Sequence, residues 1–292
     1  VPSATCNGIE IAYEVEGSGE PLLMIMGIGS QMSDWSDGLK AALGDAGFQL
    51  ILFDNRDMGF SSRLPGAELP SFPGMVARGL LNLDLDAPYS LEDMADDAAA
   101  LVTHLGHDTV HVLGVSLGGM IAQTFALRHP GATRSLTSIM SSAGRRRNAL
   151  GTPAALKALM SPPAQTAEDA EAASLNFVRV CGSKAWPIDE DEVRLLARRS
   201  FERNNDKSGF LRQLAAVVKS GSRYKQLRSL DVPTAVIHGA LDPLVRPSAG
   251  RDTARAIPGA TLRIIEGMGH DLPPQVWPII VDEVRAVAAR AR

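Results

Sequence analysis

The chain has 292 residues, 45% hydrophobic and 21% charged, a balance that fits an ordinary globular protein and argues against a disordered or fibrous one. With 29 Lys and Arg against 33 Asp and Glu, the net charge of −4 lacks the clustered basic excess that binding to a nucleic acid requires, so no nucleic-acid partner is expected. Cys6 and Cys181 stand far apart without CxxC or Cys/His spacing, which predicts two free thiols and no zinc or redox framework.

In chain order, Ile9–Val15 reads as the opening strand and Leu22–Met26 as the next, followed by a helix near Ser36–Ala46 and a strand over Gln49–Asp54. Residues Ser62–Ser90 carry Pro65, Pro70, Pro73 and Pro88 and read as a long irregular loop that helps to roof a pocket. Leu91, Met94, Ala98, Leu101, Val102 and Leu105 recur at spacings of three and four, which places them on one face of a helix that Gly106 ends. Val110–Val115 is a near-continuous apolar strand of the kind buried on both faces, and Leu117–Arg128 follows as a helix stopped before Pro130. After a strand over Arg134–Met140 the texture changes: residues 145–228 are helical, Ala-rich and charged, and read as an inserted cap. Strand and helix alternate again through Thr234–Gly239, Pro247–Ala256, Thr261–Ile265 and Val276–Ala291. This rhythm predicts an α/β fold whose core, residues 1–144 and 229–292, is split by the cap. No apolar run reaches the ~18–20 residues of a membrane span, and Val1-Pro2-Ser3 opens no basic-then-apolar signal region, so a cytoplasmic protein without a membrane partner is expected.

Gly114-Val115-Ser116-Leu117-Gly118 fits G-x-S-x-G in the context that gives the motif meaning, an apolar strand before the serine and a helix after it. A serine on such a tight turn is presented above the sheet, and the amide of Leu117, opening the helix, is available to an oxyanion. The hydroxyl needs a base to take its proton, and the base needs a carboxylate to orient it. Of the six histidines, His104, His107, His111 and His129 read as surface or boundary residues, and His238, inside an apolar strand, as a hydrogen-bonded structural residue. His270 follows a strand in the glycine turn Gly267-Met268-Gly269, where a loop at the carboxyl end of a parallel strand faces the ligand crevice, and is the expected base. Asp242 follows the preceding strand in Gly239-Ala240-Leu241-Asp242-Pro243 and fits the order Ser, Asp, His; Asp231 and Asp252 are weaker rivals. The cluster Asp54-Asn55-Arg56-Asp57 reads as a turn-organising network. The second oxyanion amide is expected from Ile28 in Met26-Gly27-Ile28-Gly29-Ser30; the same glycines lack the third position of G-x-G-x-x-G, so no nucleotide cofactor is expected. Gly27, Phe72, Met75 and Leu81, with Leu80, Leu175, Phe177 and Trp186, are the expected pocket residues.

Three stretches together, Asp54-Asn55-Arg56-Asp57-Met58-Gly59-Phe60-Ser61, the run from Gly114 to Gln123, and Gly267-Met268-Gly269-His270, resemble the α/β-hydrolase superfamily. The resemblance spans essentially the whole chain. Within the superfamily it is to the capped serine esterase branch that includes aclacinomycin methylesterase. It implies a mostly parallel eight-stranded sheet, ester hydrolysis without metal or organic cofactor, and a triad of Ser116, Asp242 and His270 with oxyanion amides at Ile28 and Leu117. One departure is visible: Met26-Gly27 stands where a His-Gly pair is common, which keeps the amide but removes its usual supporting contacts. A serine at the turn argues against the haloalkane dehalogenases and epoxide hydrolases of the same fold, which use aspartate there. The expected partner is a small to medium apolar ester as substrate, and the protein is expected to be a monomer or homodimer. The alternatives are a cofactor-free perhydrolase, haloperoxidase or lactonase using the same triad, or a ligand-binding member with slow turnover.

Overall fold

Alternate residues of the central strands feed two separate cores, which is why those strands read as unbroken apolar runs. Leu23 and Ile25 pack on one face of the sheet with Ile51, Phe53 and Val112, while Leu22 and Met24 pack on the other with Leu50, Leu52 and Leu113. The computed structural model describes residues 1–64, 69–81, 83–148, 150–206 and 208–291. Its strands are β1 (Ser3–Cys6), β2 (Ile9–Glu16), β3 (Glu20–Ile25), β4 (Phe48–Phe53), β5 (Val110–Val115), β6 (Thr133–Ile139), β7 (Thr234–Gly239) and β8 (Thr261–Ile265). They form one eight-stranded sheet in the order β1-β2-β4-β3-β5-β6-β7-β8, antiparallel at the β1–β2 and β2–β4 pairings and parallel from β4 onward.

Helices α3 (Leu91–His104) and α4 (Leu117–Arg128) cover one face, and α1 (Asp37–Asp45) and α10 (Trp277–Ala288) the other. Helix α9 (Pro247–Ala256) connects β7 to β8 and adds Ala256 to the first core. In α3, Leu91, Met94, Ala98, Leu101 and Val102 are all buried on the face their spacing defines, and Ser90 caps the first turn by accepting from the Asp93 amide. Each fully buried Leu or Ile in these clusters contributes ~1.5–3 kcal/mol relative to exposure. The parallel arrangement brings the carboxyl ends of β3, β5, β7 and β8 to one edge, so the loops after them converge. Among the described residues no helix is long and apolar enough to cross a membrane.

Between β6 and β7 lie α5 (Pro153–Leu159), α6 (Ala167–Cys181), α7 (Glu190–Arg203) and α8 (Gly209–Ser220), with no strand among the described residues there. The stretch expected as irregular loop contains α2 (Phe72–Leu81). Pro73 sits in its first turn, where a missing N–H costs no intrahelical bond, so this proline is compatible with the helix rather than a breaker. Pro65 lies outside the described residues. His111 is corrected as well: it is fully buried within β5, and its ring nitrogens meet Ser135 Oγ at 2.8 Å and Glu20 Oε2 at 3.0 Å.

The Asp54–Asp57 cluster organises its own turn and also ties three helices to the core. Asp54 accepts from the amides of Met32 and Phe60 and pairs with Arg203 of α7 at 2.8 Å. Arg56 pairs with Asp97 of α3 at 2.6 Å. Arg212 of α8 forks onto Asp57 at 2.8 and 2.9 Å, and the Tyr89 hydroxyl donates to the same carboxylate at 2.7 Å. Asp57 is fully buried, so removing its cation leaves a charge without its counterion. Arg212→Ala is expected to cost ~3–5 kcal/mol of unfolding free energy, toward the lower end because Tyr89 and the Leu64 amide remain as donors. Urea titration of the two proteins measures this, and a midpoint unchanged from wild type refutes it.

Candidate active site

Ser116 follows β5 directly and has φ +54° and ψ −118°, a conformation that only a tightly determined surrounding maintains. The surrounding is made by its glycines. A Cβ on Gly114 would run into the Gly118 carbonyl, one on Gly118 into the Ile25 carbonyl, and one on Gly119 into the Ser141 side chain. Both ends of Ser116 are pinned: its amide donates to Ile139 O at 3.0 Å, and its carbonyl accepts from Ser141 Oγ at 2.7 Å. Ser141 went unrecognised in the sequence because nothing local distinguishes it from its neighbour Ser142.

The structure brings the three residues expected for a triad together. His270 Nε2 lies 3.1 Å from Ser116 Oγ, and His270 Nδ1 lies 2.7 Å from Asp242 Oδ2. A buried carboxylate accepts, so Nδ1 carries the proton and Nε2 presents a lone pair to the serine hydroxyl. Asp242 Oδ1 accepts from the amides of Leu244 and Val245 at 2.9 and 2.8 Å, which leaves Oδ2 for the imidazole. Burial alone would raise the Asp242 pKa, but the charge of His270 and hydrogen bonds from His238 and His270 outweigh it and hold the carboxyl down at about 2. His238 is hydrogen-bonded as a structural residue: its Nε2 donates to Val245 O at 2.6 Å and stands 3.4 Å from Asp242 Oδ2. Asp252 instead pairs with Arg145, Arg147 and Arg255, remote from the serine hydroxyl's partners.

The turn bearing His270 is braced from α6, through residues with no motif in the sequence. The His270 amide donates to Cys181 O at 2.7 Å, and Gly269 packs so closely on Cys181 and Gly182 that a Cβ there would collide with both carbonyls. Ser183 Oγ accepts from the Gly269 amide at 3.1 Å and donates to Asp271 Oδ1 at 2.6 Å. The Asp271 pKa is raised by burial, against the lowering effect of Ser183. Phe177 meets the His270 ring edge-on, with centroids 6.4 Å apart.

Gly27 lies against the serine: a Cβ there would sit 3.4 Å from Ser116 Cβ and 4.0 Å from Oγ, ordinary contact. The Leu117 amide opens α4 and has no helical acceptor, and among the described residues neither it nor the Ile28 amide donates to a protein acceptor. Ser116 and His270 open onto a cavity of about 1100 Å³. Gly27, Ile28, Phe177 and Trp186 line it, together with Trp35, Leu159, Leu196 and Phe210. Phe72, Met75 and Leu81 do not: Met75 is buried in a separate cluster with Leu85, Ala87 and Ala215, Leu81 is 67% exposed, and their helix α2 packs on α8 away from the cavity. Leu80 is likewise exposed, and Leu175 is buried outside the lining. Among the described residues no group of three or more His, Cys, Asp or Glu is arranged to hold a metal ion.

A profile of the α/β hydrolase fold family matches residues 20–274. Rhodomycin D methylesterase DnrP of Streptomyces peucetius is 27% identical, over 94% of this chain and 93% of that protein. Non-heme chloroperoxidase CPO-A1 of Kitasatospora aureofaciens is 28% identical, over 92% of this chain and 91% of that protein. Among solved structures, the enol-lactonase from Burkholderia xenovorans LB400 superposes with a TM-score of 0.74 at 21% identity, covering 99% of this chain and all of that one. The chain belongs to the α/β hydrolase fold family.

Proposed function

We propose that this protein is a serine hydrolase of carboxylic esters, working through an acyl-enzyme. The observation that carries the reading is the hydrogen-bonded relay from Ser116 Oγ through His270 to Asp242, placed at the wall of a mostly apolar cavity. Ser116 Oγ attacks the ester carbonyl carbon while its proton passes to His270 Nε2, and the carbonyl oxygen becomes an oxyanion held by the amides of Ile28 and Leu117. Collapse of the tetrahedral adduct expels the alcohol, which takes the proton from His270. Water, deprotonated by the same imidazole, then attacks the acyl carbon and releases the acid and the serine hydroxyl. Helices α5–α8, within residues 145–228, act as the cap: residues of α5, α6, α7 and α8 all contribute to the cavity over the serine.

The cavity extends the expected substrates beyond small esters, since ~300–1000 Å³ accommodates a drug-sized ligand. For p-nitrophenyl esters of increasing acyl length, kcat/KM is expected to rise by up to about fourfold per added methylene, the equivalent of ~0.8 kcal/mol, until the apolar volume is filled. A flat series from acetate to octanoate contradicts an apolar acyl site. Mass mapping of a fluorophosphonate adduct tests the reading itself: modification at Ser116 supports it, and an unmodified Ser116 with no ester turnover overturns it.

The chloroperoxidase relative favours a second reading, perhydrolysis, in which hydrogen peroxide replaces water at the acyl carbon and releases a peracid. Halide oxidation that requires both peroxide and a carboxylic acid or ester would support this second activity.

A further inference from the structure

The loop from Met26 to Met32 carries the Ile28 amide, and only part of its support comes from the core. Asn55 Nδ2 donates to Met26 O at 3.2 Å, and Asp54 accepts from the Met32 amide at 2.8 Å. Between these anchors the loop bonds to itself, Ser30 N donating to Gly27 O and Gln31 N to Asp34 Oδ2, and two fully buried glutamines bond it across to the cap. Gln213, on α8, accepts from the Gly29 amide through Oε1 at 2.9 Å and donates through Nε2 to Arg56 O at 3.1 Å. Gln31 points the other way: its Nε2 donates to Ser200 O at 2.7 Å and Asn204 O at 2.8 Å, and its Oε1 accepts from Arg203 at 2.7 Å. Gly29 has φ +72°, and a Cβ there would press on the Phe210 ring of α8. The peptide joining Ile28 to Gly29 is therefore tied to α8, and Gln31 further along the same loop to α7.

We propose that Gln213 and Gln31 are positioning residues for the oxyanion loop, so that the Ile28 amide is aimed at the reacting carbonyl by docking of α7 and α8 rather than by the core alone. The inference rests on the ester-hydrolase reading above. An amide shifted by a fraction of an ångström still lets substrate bind but no longer matches the oxyanion, so the loss belongs to the transition state.

The test uses Gln213→Met, which keeps length and apolar packing while removing both hydrogen bonds, and Gln31→Met, which cuts the second tie. Steady-state hydrolysis of a p-nitrophenyl ester is measured with binding of two inhibitors, an alkyl trifluoromethyl ketone and the matching methyl ketone. The first adds Ser116 Oγ to its carbonyl carbon, passes the hydroxyl proton to His270 and forms an oxyanion; the second occupies the cavity without doing so. In either variant that folds, kcat is expected to fall ~10- to 100-fold with KM within about twofold, a fraction of the 10²–10³ lost with a whole donor. The trifluoromethyl ketone should weaken in parallel, and the methyl ketone should not. Wild-type kcat in both variants, a loss carried in KM, or equal weakening of both ketones overturns the positioning role. A wild-type protein that neither turns over esters nor forms the trifluoromethyl ketone adduct overturns the ester-hydrolase reading, and this inference with it. If neither methionine variant folds, Gln213→Glu, which when protonated keeps both the acceptor for the Gly29 amide and a donor for Arg56 O, must retain more activity than Gln213→Leu at matched folded fraction, and the reverse order overturns the proposal.

Discussion

Ser116→Ala is expected to lower kcat for ester hydrolysis by between ~10³- and ~10⁶-fold, with little change in folding. On the proposed mechanism no acyl-enzyme forms without the hydroxyl, and the residual rate is that of water attacking a carbonyl held by the proposed amide donors. Folding survives because alanine keeps the Cβ that the turn already accommodates and removes only the oxygen facing His270 Nε2. The same backbone supplies a control. At φ +54° and ψ −118° any residue with a Cβ is strained, by ~1–3 kcal/mol, whereas glycine is not. Ser116→Gly should therefore be as inactive as Ser116→Ala and at least as stable to heat. A glycine variant clearly less stable than the alanine one would show that the turn is relaxed; an alanine variant with wild-type kcat would remove Ser116 from the chemistry.

The elements nearest this turn are also the ones most legible in the sequence. β5 is a buried parallel strand and announces itself as an apolar run; α4, β7, α9 and β8 occupy the same residues in the structure as in the sequence reading. Asp242 and His270 could be singled out because each follows a strand on a glycine-bearing turn, a local signal. The cavity wall was legible only in part: Gly27, Phe177 and Trp186 line it, whereas Phe72, Met75 and Leu81 do not. Whether Met75 faces a pocket or a core depends on α8, some 140 residues away in sequence, and its apolar character suits either place. His111 shows the same limit from the polar side: a histidine in a strand is buried or exposed according to partners, here Ser135 and Glu20, that no spacing reveals. Gln31, Gln213, Ser141 and Ser183 make their hydrogen bonds to backbone or side-chain groups distant in sequence, and such contacts leave no periodicity. What the sequence specified was the strand ends where chemistry is placed; what it left open was which side chains from the helices reach those ends.

Asp242→Asn is expected to cost ~10⁴-fold in kcat, more than the loss of one hydrogen bond explains, because it reverses the imidazole. Asp242 Oδ1 is claimed by two backbone donors, Leu244 and Val245, so an asparagine is forced to place its oxygen there and its NH₂ toward His270. Nδ1 must then accept, the ring proton moves to Nε2, and the nitrogen facing Ser116 can no longer take the hydroxyl proton. Asp242→Ala imposes no tautomer but leaves both amides without their acceptor, so it should lose more stability than the asparagine variant and no more kcat. The pH dependence separates this from a general weakening of the site. The carboxyl titrates at about 2 in the folded protein, below the ordinary 3.8, so its stabilising effect is fully present above ~pH 4 and is lost as pH falls toward 2. The stability gap between wild type and Asp242→Asn should thus narrow as pH falls from ~4 toward 2. An asparagine variant within tenfold of wild-type kcat, or a gap that does not narrow in acid, would mean that Asp242 neither fixes the tautomer nor stays charged beside His270.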